Sequence, residues 1–189
     1  MSPTSWTRRR HQRTPETAVS PIVVRRALAA ELEAVGELTL AAYLADGFVT
    51  SAGEYVGELR DAAVRDRDAE VWVAVGADGT VGVPDGVLGS VTFCPVGSPY
   101  REVAADDSEA EFRMLAVAPH ARRGGVAKAL TEHCLGLARG LGQVQMVLCS
   151  DRRMLAAHAL YAGLGFRRLP ERDWRPAPGV ELWAFGLDL

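Results

Sequence analysis

Cysteine is scarce in this chain of 189 residues, and the three present, Cys94, Cys134 and Cys149, are odd in number and far apart. That argues against a disulfide framework or a paired CxxC metal site, and a reducing cytoplasm is the expected setting. Long apolar runs are missing too. None approaches the roughly 20 residues of a membrane span, and the first 20 residues lack the apolar segment that a signal peptide needs. His11, His120 and His133 have neither mutual spacing nor cysteine partners suited to zinc, so no metal is expected. Positive charge is short in the body of the chain. Setting aside Arg8, Arg9, Arg10, Arg13 and Glu16 leaves 17 basic against 23 acidic residues, near −6, compared with −3 for the whole chain. A duplex nucleic-acid binder, whose affinity rests on neutralising phosphates, is therefore not expected. Such a body should attract cationic small molecules weakly.

What is present suits one buried domain: 48% of residues are hydrophobic and 24% charged. Residues 1–20 are polar and carry Pro3 and Pro15, and they read as a flexible basic tail ahead of a domain at 21–189. "IVVRRA" (22–27) is a strand, and Leu28, Leu32, Val35, Leu38 and Ala42 follow it at helical spacing. A second amphipathic stretch carries Tyr55, Leu59 and Ala62 on one side. "EVWVAVGADGTVG" (70–82) and "GVLGSVTFC" (86–94) form an antiparallel pair between the turn signals Asp78-Gly79 and Pro84-Asp85-Gly86. After a long loop comes the strand "AEFRMLAVAP", closed by Pro119, and then a helix whose apolar side is Val126, Leu130, Cys134, Leu137 and Leu141. "QVQMVLCS" is a buried strand, Asp151 caps the next helix, and "FRRLPERDW" and "GVELWAFGLDL" are two closing strands. The class is mixed α/β of the α+β type, with an antiparallel start and a strand, helix, strand core.

The stretch "ARRGGVAKAL" (121–130) joins that strand to its helix. A Gly-rich turn at a helix start leaves backbone N–H groups without intrahelical partners, and the helix dipole adds positive potential, so an anion such as phosphate is a natural guest. Gly124 and Gly125 allow close approach, and Arg122 and Arg123 add charged donors. A tight strand-to-helix connection with solvated arginines is the alternative. No Lys-Ser or Lys-Thr pair follows the glycines, which excludes a P-loop, and G-x-G-x-x-G is absent.

Arg122, Gly125 and Ala127 spell R-x-x-G-x-A directly after a strand, and "AAHALYAGLGF" further on contains A-x-x-L-Y-x-x-x-G-F. In order and spacing this pair resembles the acetyl-coenzyme A signature and following segment of the GNAT N-acetyltransferases. The resemblance implies one domain around a mixed sheet of about six or seven strands, splayed between the fourth and fifth, with about four helices. It implies that acetyl-CoA lays its pantetheine arm along the backbone of Leu115, Ala116 and Val117, and that its diphosphate meets Arg122, Arg123, Gly124, Gly125, Val126, Ala127 and Lys128. The amide near Val117 then lies close to the thioester oxygen.

The same resemblance places Tyr161 as the general acid for the leaving thiolate. Glu111, four residues before Leu115, becomes the candidate base, with Glu109 as second choice or a water chain instead; the alternative for Glu111 is a strand-end carboxylate paired with Arg113 or solvated. Many family members carry Asn seven residues before the tyrosine, to contact the cofactor arm; here it is Met154, whose thioether cannot donate. The implied activity is acetyl transfer to a primary amine, small or peptidic, by direct attack in a ternary complex. The alternative is a non-catalytic acyl-CoA-binding module, for which Met154 is the best support. Acceptor choice belongs to residues 40–59 and 173–183, where Asp46, Glu54 and Glu58 either greet a cationic amine or are simply solvated. A homodimer through the terminal strands is compatible with the letters and not required by them.

Overall fold

Alternation in the strands decides which face of the sheet each helix covers. In β2 (Glu70–Gly76), Val71, Val73 and Val75 pack with Val35 and Ala62, whereas Trp72 and Ala74 pack on the opposite face with Val126, Leu130 and Cys134. The chain is described as a computed structural model at residues 21–49, 55–76 and 86–189. The expected basic tail, Glu54 and the turn signals at 78–79 and 84–85 lie outside those residues.

One face of the sheet carries α1 (Leu32–Ala45), α2 (Tyr55–Arg60) and α3 (Ala62–Asp68), whose apolar side chains Val35, Leu40, Leu59 and Ala62 are buried to 3% exposure or less. The other carries α4 (Val126–Gly140) and α5 (Leu155–Gly163). The strands β1 (Ile22–Arg26), β2, β3 (Val87–Cys94) and β4 (Glu109–Val117) form an antiparallel run in chain order. β5 (Gln145–Asp151) then joins β4 in parallel, as a helical crossover through α4 requires. β8 (Val180–Asp188) lies antiparallel to β5, and β6 (Arg167–Arg168) and β7 (Trp174–Ala177) both pair with β8.

The element count exceeds the expectation in two places, each with a local cause. The second amphipathic stretch is two helices, because Asp61 interrupts it: its carboxylate accepts from the Val64 amide at 2.9 Å and caps α3. The expected closing pair is three strands, because a 3-10 turn at Pro170–Arg172 separates β6 from β7. Two smaller expectations fail. Leu141 is 63% exposed and belongs to the turn after α4, and Asp151 ends β5 and binds Arg153, so Met154 is the N-cap residue of α5, without a side-chain hydrogen bond.

The position of the site follows from two irregularities in β4. Its ladder with β5 covers only Glu109, Ala110 and Glu111 opposite Gln145, Met146 and Val147, although both strands continue further. On its other edge the register with β3 shifts between Ser90↔Ala116 and Thr92↔Arg113, which inserts one extra residue into β4. Met114 takes up the insertion with φ 53. A bulge bends and twists its strand, and here the bend falls where β4 and β5 part.

Candidate active site

The opening between β4 and β5 is a cleft of about 1040 Å³. Leu115, Ala116 and Val117 form one wall, and the backbone there pairs with β3 on one edge only. Amide and carbonyl groups on the open edge can pair with an amide-bearing arm as with another strand. At the cofactor end, the chain leaves β4 through a 3-10 turn at Pro119–Ala121 and enters α4 with Gly125 as N-cap, φ 85. That left-handed conformation suits a residue without Cβ. Arg123, two residues earlier, also has positive φ, at 62. No side chain caps α4, and its first intrahelical bond runs from the Ala129 amide to the Gly125 carbonyl at 2.9 Å. The amides of Val126, Ala127 and Lys128 therefore have no helical acceptor. Gly125, Val126, Ala127 and Lys128 all line the cleft, which fits a diphosphate at this helix start.

Arg122 and Arg123 line the same end. Arg122 is turned across the cleft: its guanidinium holds both oxygens of Asp46, at the end of α1, at 2.9 and 3.0 Å. Asp46 is thus neither free to greet a cationic amine nor simply solvated, the two alternatives that the sequence left open, but ion-paired. Gly124 lies in the turn, its amide 3.4 Å from the Ala121 carbonyl.

Tyr161 reaches the cleft from α5 and is only 4% exposed. Its ring packs against Phe112, Phe166 and Phe185 at centroid distances of 6.2, 5.7 and 5.7 Å. Burial, reinforced by the nearby Cys134 thiol, raises the phenol pKa well above its ordinary value. The hydroxyl thus stays protonated at neutral pH, as a donor to a leaving thiolate must. Cys149 also lines the cleft, and burial pushes its thiol up to about 12. A neutral thiol is a poor nucleophile, which argues against an acyl-cysteine route.

The candidate bases are elsewhere. Glu111 is 1% exposed and does not line the cleft; its carboxylate accepts the amides of Glu102, Val103 and Ala104 at 3.0 to 3.1 Å. Glu109 is held by Arg172 at 2.7 and 2.9 Å and by the Ala105 amide at 2.7 Å. Burial alone would raise its pKa, but these hydrogen bonds outweigh burial and hold it below the usual carboxylate value. The bulge explains why spacing misleads here. Counting four residues from Glu111 to Leu115 assumes unbroken alternation, and the extra residue at Met114 breaks it.

The side of the cleft away from the α4 start combines residues of the 40–59 stretch with side chains that spacing did not single out. Tyr43 and Phe48 come from α1 and its exit, Arg113 and Met114 from β4, and Ser150, Arg153 and Met154 from the end of β5 and the approach to α5. Ser150 Oγ lies 3.4 Å from Met154 Sδ, so the thioether serves as acceptor at the position where the family's asparagine would donate. Arg153 holds Asp151 at 2.9 and 2.8 Å and reaches the carbonyls of Gly47 and Phe48 at 3.3 and 3.2 Å, which ties the α1 exit to the α5 entry. His120 lines the cleft and is exposed. His158 does not line it: its ring stacks on Trp183 at 5.4 Å, and burial lowers its pKa. Among the described residues no group of three metal-ligating side chains exists, and no helix is long and apolar enough to cross a membrane.

Comparison with known proteins agrees with this geometry. The acetyltransferase (GNAT) domain profile matches residues 67–168, from the end of α3 to β6. N-acetylaspartate synthetase of Danio rerio is 34% identical over 109 residues, 58% of this chain and 33% of that protein. N-acetyltransferase 8B of Rattus norvegicus is 27% identical over 124 residues, 64% of this chain and 51% of that protein. The chain thus spans between a third and about half of the length of these curated relatives. A GCN5-related N-acetyltransferase from Kribbella flavida, 26% identical, has the same fold at a TM-score of 0.63, covering 89% of this chain and 98% of its own. A splayed β4–β5 pair, a Gly-capped α4 that offers free amides, and a domain profile across both place this chain in the GNAT acetyltransferase family, which uses acetyl-CoA.

Proposed function

We propose that this chain transfers an acetyl group from acetyl-CoA to a primary amine by direct attack in a ternary complex. The observation that carries the reading is that the one-sided stretch of β4, the uncapped start of α4 and the Tyr161 ring open into one cavity. In this reading the amides of residues 126–128 hold the diphosphate and the open edge of Leu115–Val117 aligns the pantetheine arm. A β4 amide near Val117 stabilises the carbonyl oxygen as charge develops on it, and Tyr161 donates to the departing sulfur. Glu111 braces the 102–104 loop, and the proton of the attacking amine leaves to water in the open cleft. A reducing compartment is part of the reading, on the number and spacing of the three cysteines in the sequence.

Two measurements test it. Acetyl-CoA should raise the melting temperature through binding to the folded state. Free CoA thiol should appear when the protein meets acetyl-CoA and a panel of amines, amino acids and peptides. Stabilisation with no thiol release from any acceptor would favour a binding module; the absence of both would remove acyl-CoA from the account.

A further inference from the structure

Charge in the cleft runs against the charge of the chain. The whole chain carries −3, yet the cleft is lined by Arg113, Arg122, Arg123, Lys128 and Arg153 and, among the described residues, by the single carboxylate of Asp46, which Arg122 holds at 2.9 and 3.0 Å. Arg122, Arg123 and Lys128 belong to the phosphate end. Arg153 is bound to Asp151 and to the carbonyls of the α1 exit.

Arg113 remains. It precedes the bulge residue Met114 and shares the acceptor wall with Tyr43. Its guanidinium is fixed from behind: Nη2 lies 2.7 Å from Glu102, Nη1 donates to the Tyr100 carbonyl at 3.2 Å, and the side chain is 12% exposed. A guanidinium has five N–H donors in a rigid plane, so two anchors leave others to offer a ligand, already oriented and largely removed from water. A cationic substituent on the acceptor has no counterpart there. Of the other carboxylates near it, Glu111 is bound by the 102–104 amides, and Glu58 of α2, close enough to raise the Glu102 pKa, does not line the cleft.

We infer that the acceptor is a small amine carrying a carboxylate near its nitrogen, of the amino-acid kind, and that Arg113 binds that carboxylate while the amine faces the open edge of β4. The inference rests on the acetyl-transfer reading and favours an anionic group on the acceptor over the cationic one that Asp46, Glu54 and Glu58 had left open.

Matched acceptors test it. Each amino acid is compared with its amide and its decarboxylated amine in the thiol-release assay. For the best acceptor, kcat/KM for the acid should exceed that for the amide by about tenfold or more, the worth of a charge-assisted hydrogen bond. Arg113→Gln should remove that ratio through the acceptor KM and leave the KM for acetyl-CoA in place, and Arg113→Lys should restore part of it. An amide or plain amine used as well as the acid, or an undiminished ratio in Arg113→Gln, overturns the inference. Calorimetry on the unmodified protein saturated with free CoA gives an answer that needs neither turnover nor a variant: the acid should bind more tightly than its amide, and equal or reversed affinities overturn the inference. Failure of acetyl-CoA to stabilise the protein strikes the acetyl-transfer reading instead. Retained stabilisation with no preference for the acid strikes this inference alone.

Discussion

The two ends of the cleft are built from different parts of the chain. At the cofactor end the donors are main-chain groups: the free amides of Val126, Ala127 and Lys128 behind Gly125, and the one-sided backbone of Leu115–Val117. At the acceptor end the surface is side chain, with Tyr43, Arg113, Ser150 and Arg153 drawn from three separate stretches. Arg113 and Arg153 are in turn held by Glu102 and Asp151. A main-chain site needs only a permissive conformation and a splayed strand, so it tolerates wide change in sequence. A side-chain site alters with each substitution. One scaffold can thereby keep one acyl donor while its acceptors diverge.

Tyr161 stands where the two ends meet, so its loss should be felt by neither binding step alone. Tyr161→Phe should lower kcat by about 100-fold, the scale of a lost general acid, with little change in the KM for acetyl-CoA. A kcat within about twofold of the parent removes the tyrosine from the chemistry.

The acceptor end should respond to pH where the cofactor end does not. Burial, with help from Glu111 and against the pull of Arg113, raises Glu102 from 4.5 to about 7. A carboxyl whose folded pKa is raised stabilises through its protonated form: the contribution is full below 4.5 and is lost as pH rises through about 7. Relative to Glu102→Gln, the parent should lose on the order of 1 kcal/mol of stability between those limits, solvent screening at this exposed residue reducing what the shift would otherwise give, read from urea unfolding at a series of pH values. A difference that does not vary with pH contradicts the desolvation of the Glu102 carboxyl beside Arg113.

Gly125→Ala probes the other end. At φ 85 a Cβ is strained, although the space beside it is open, with Ile22 Cδ1 the nearest atom at 3.9 Å. The cost should be about 1 kcal/mol of stability. The Kd for acetyl-CoA should rise about fivefold as the turn shifts its amides, and the acceptor KM should hold; a change in the acceptor KM alone would erase the division between the ends. The smallest effect is expected at the pair that crosses between them. Asp46→Asn releases Arg122 and should tighten acetyl-CoA by less than about threefold, because both partners are more than a third exposed. Weaker binding in that variant would mean that Asp46 orients Arg122 for the phosphates.

Legibility in the sequence divides along the same line. The turn at 122–128 could be read because glycines after a strand and before a helix report a backbone constraint, and the structure opens that turn into the cleft. Tyr161 could be located from its place in A-x-x-L-Y-x-x-x-G-F and the strands from their apolar, β-branched composition, while the arrangement of the sheet came from the family resemblance. The break at Asp61 was hidden because an aspartate inside an amphipathic stretch looks the same whether it is solvated or caps a new helix. Glu111 was misread for a tertiary reason: a one-residue bulge and a loop folding back with three amides are invisible to spacing. Arg113 passed only as a neighbour of Glu111, since nothing local says that β4 and β5 part beside it.

Amide hydrogen exchange tests the central claim most directly, because the claim concerns main-chain groups. Addition of acetyl-CoA should slow exchange in peptides covering 115–117 and 123–128 and leave the C-terminal turns of α4 unchanged. Protection that appears elsewhere while these two segments exchange as before would contradict it.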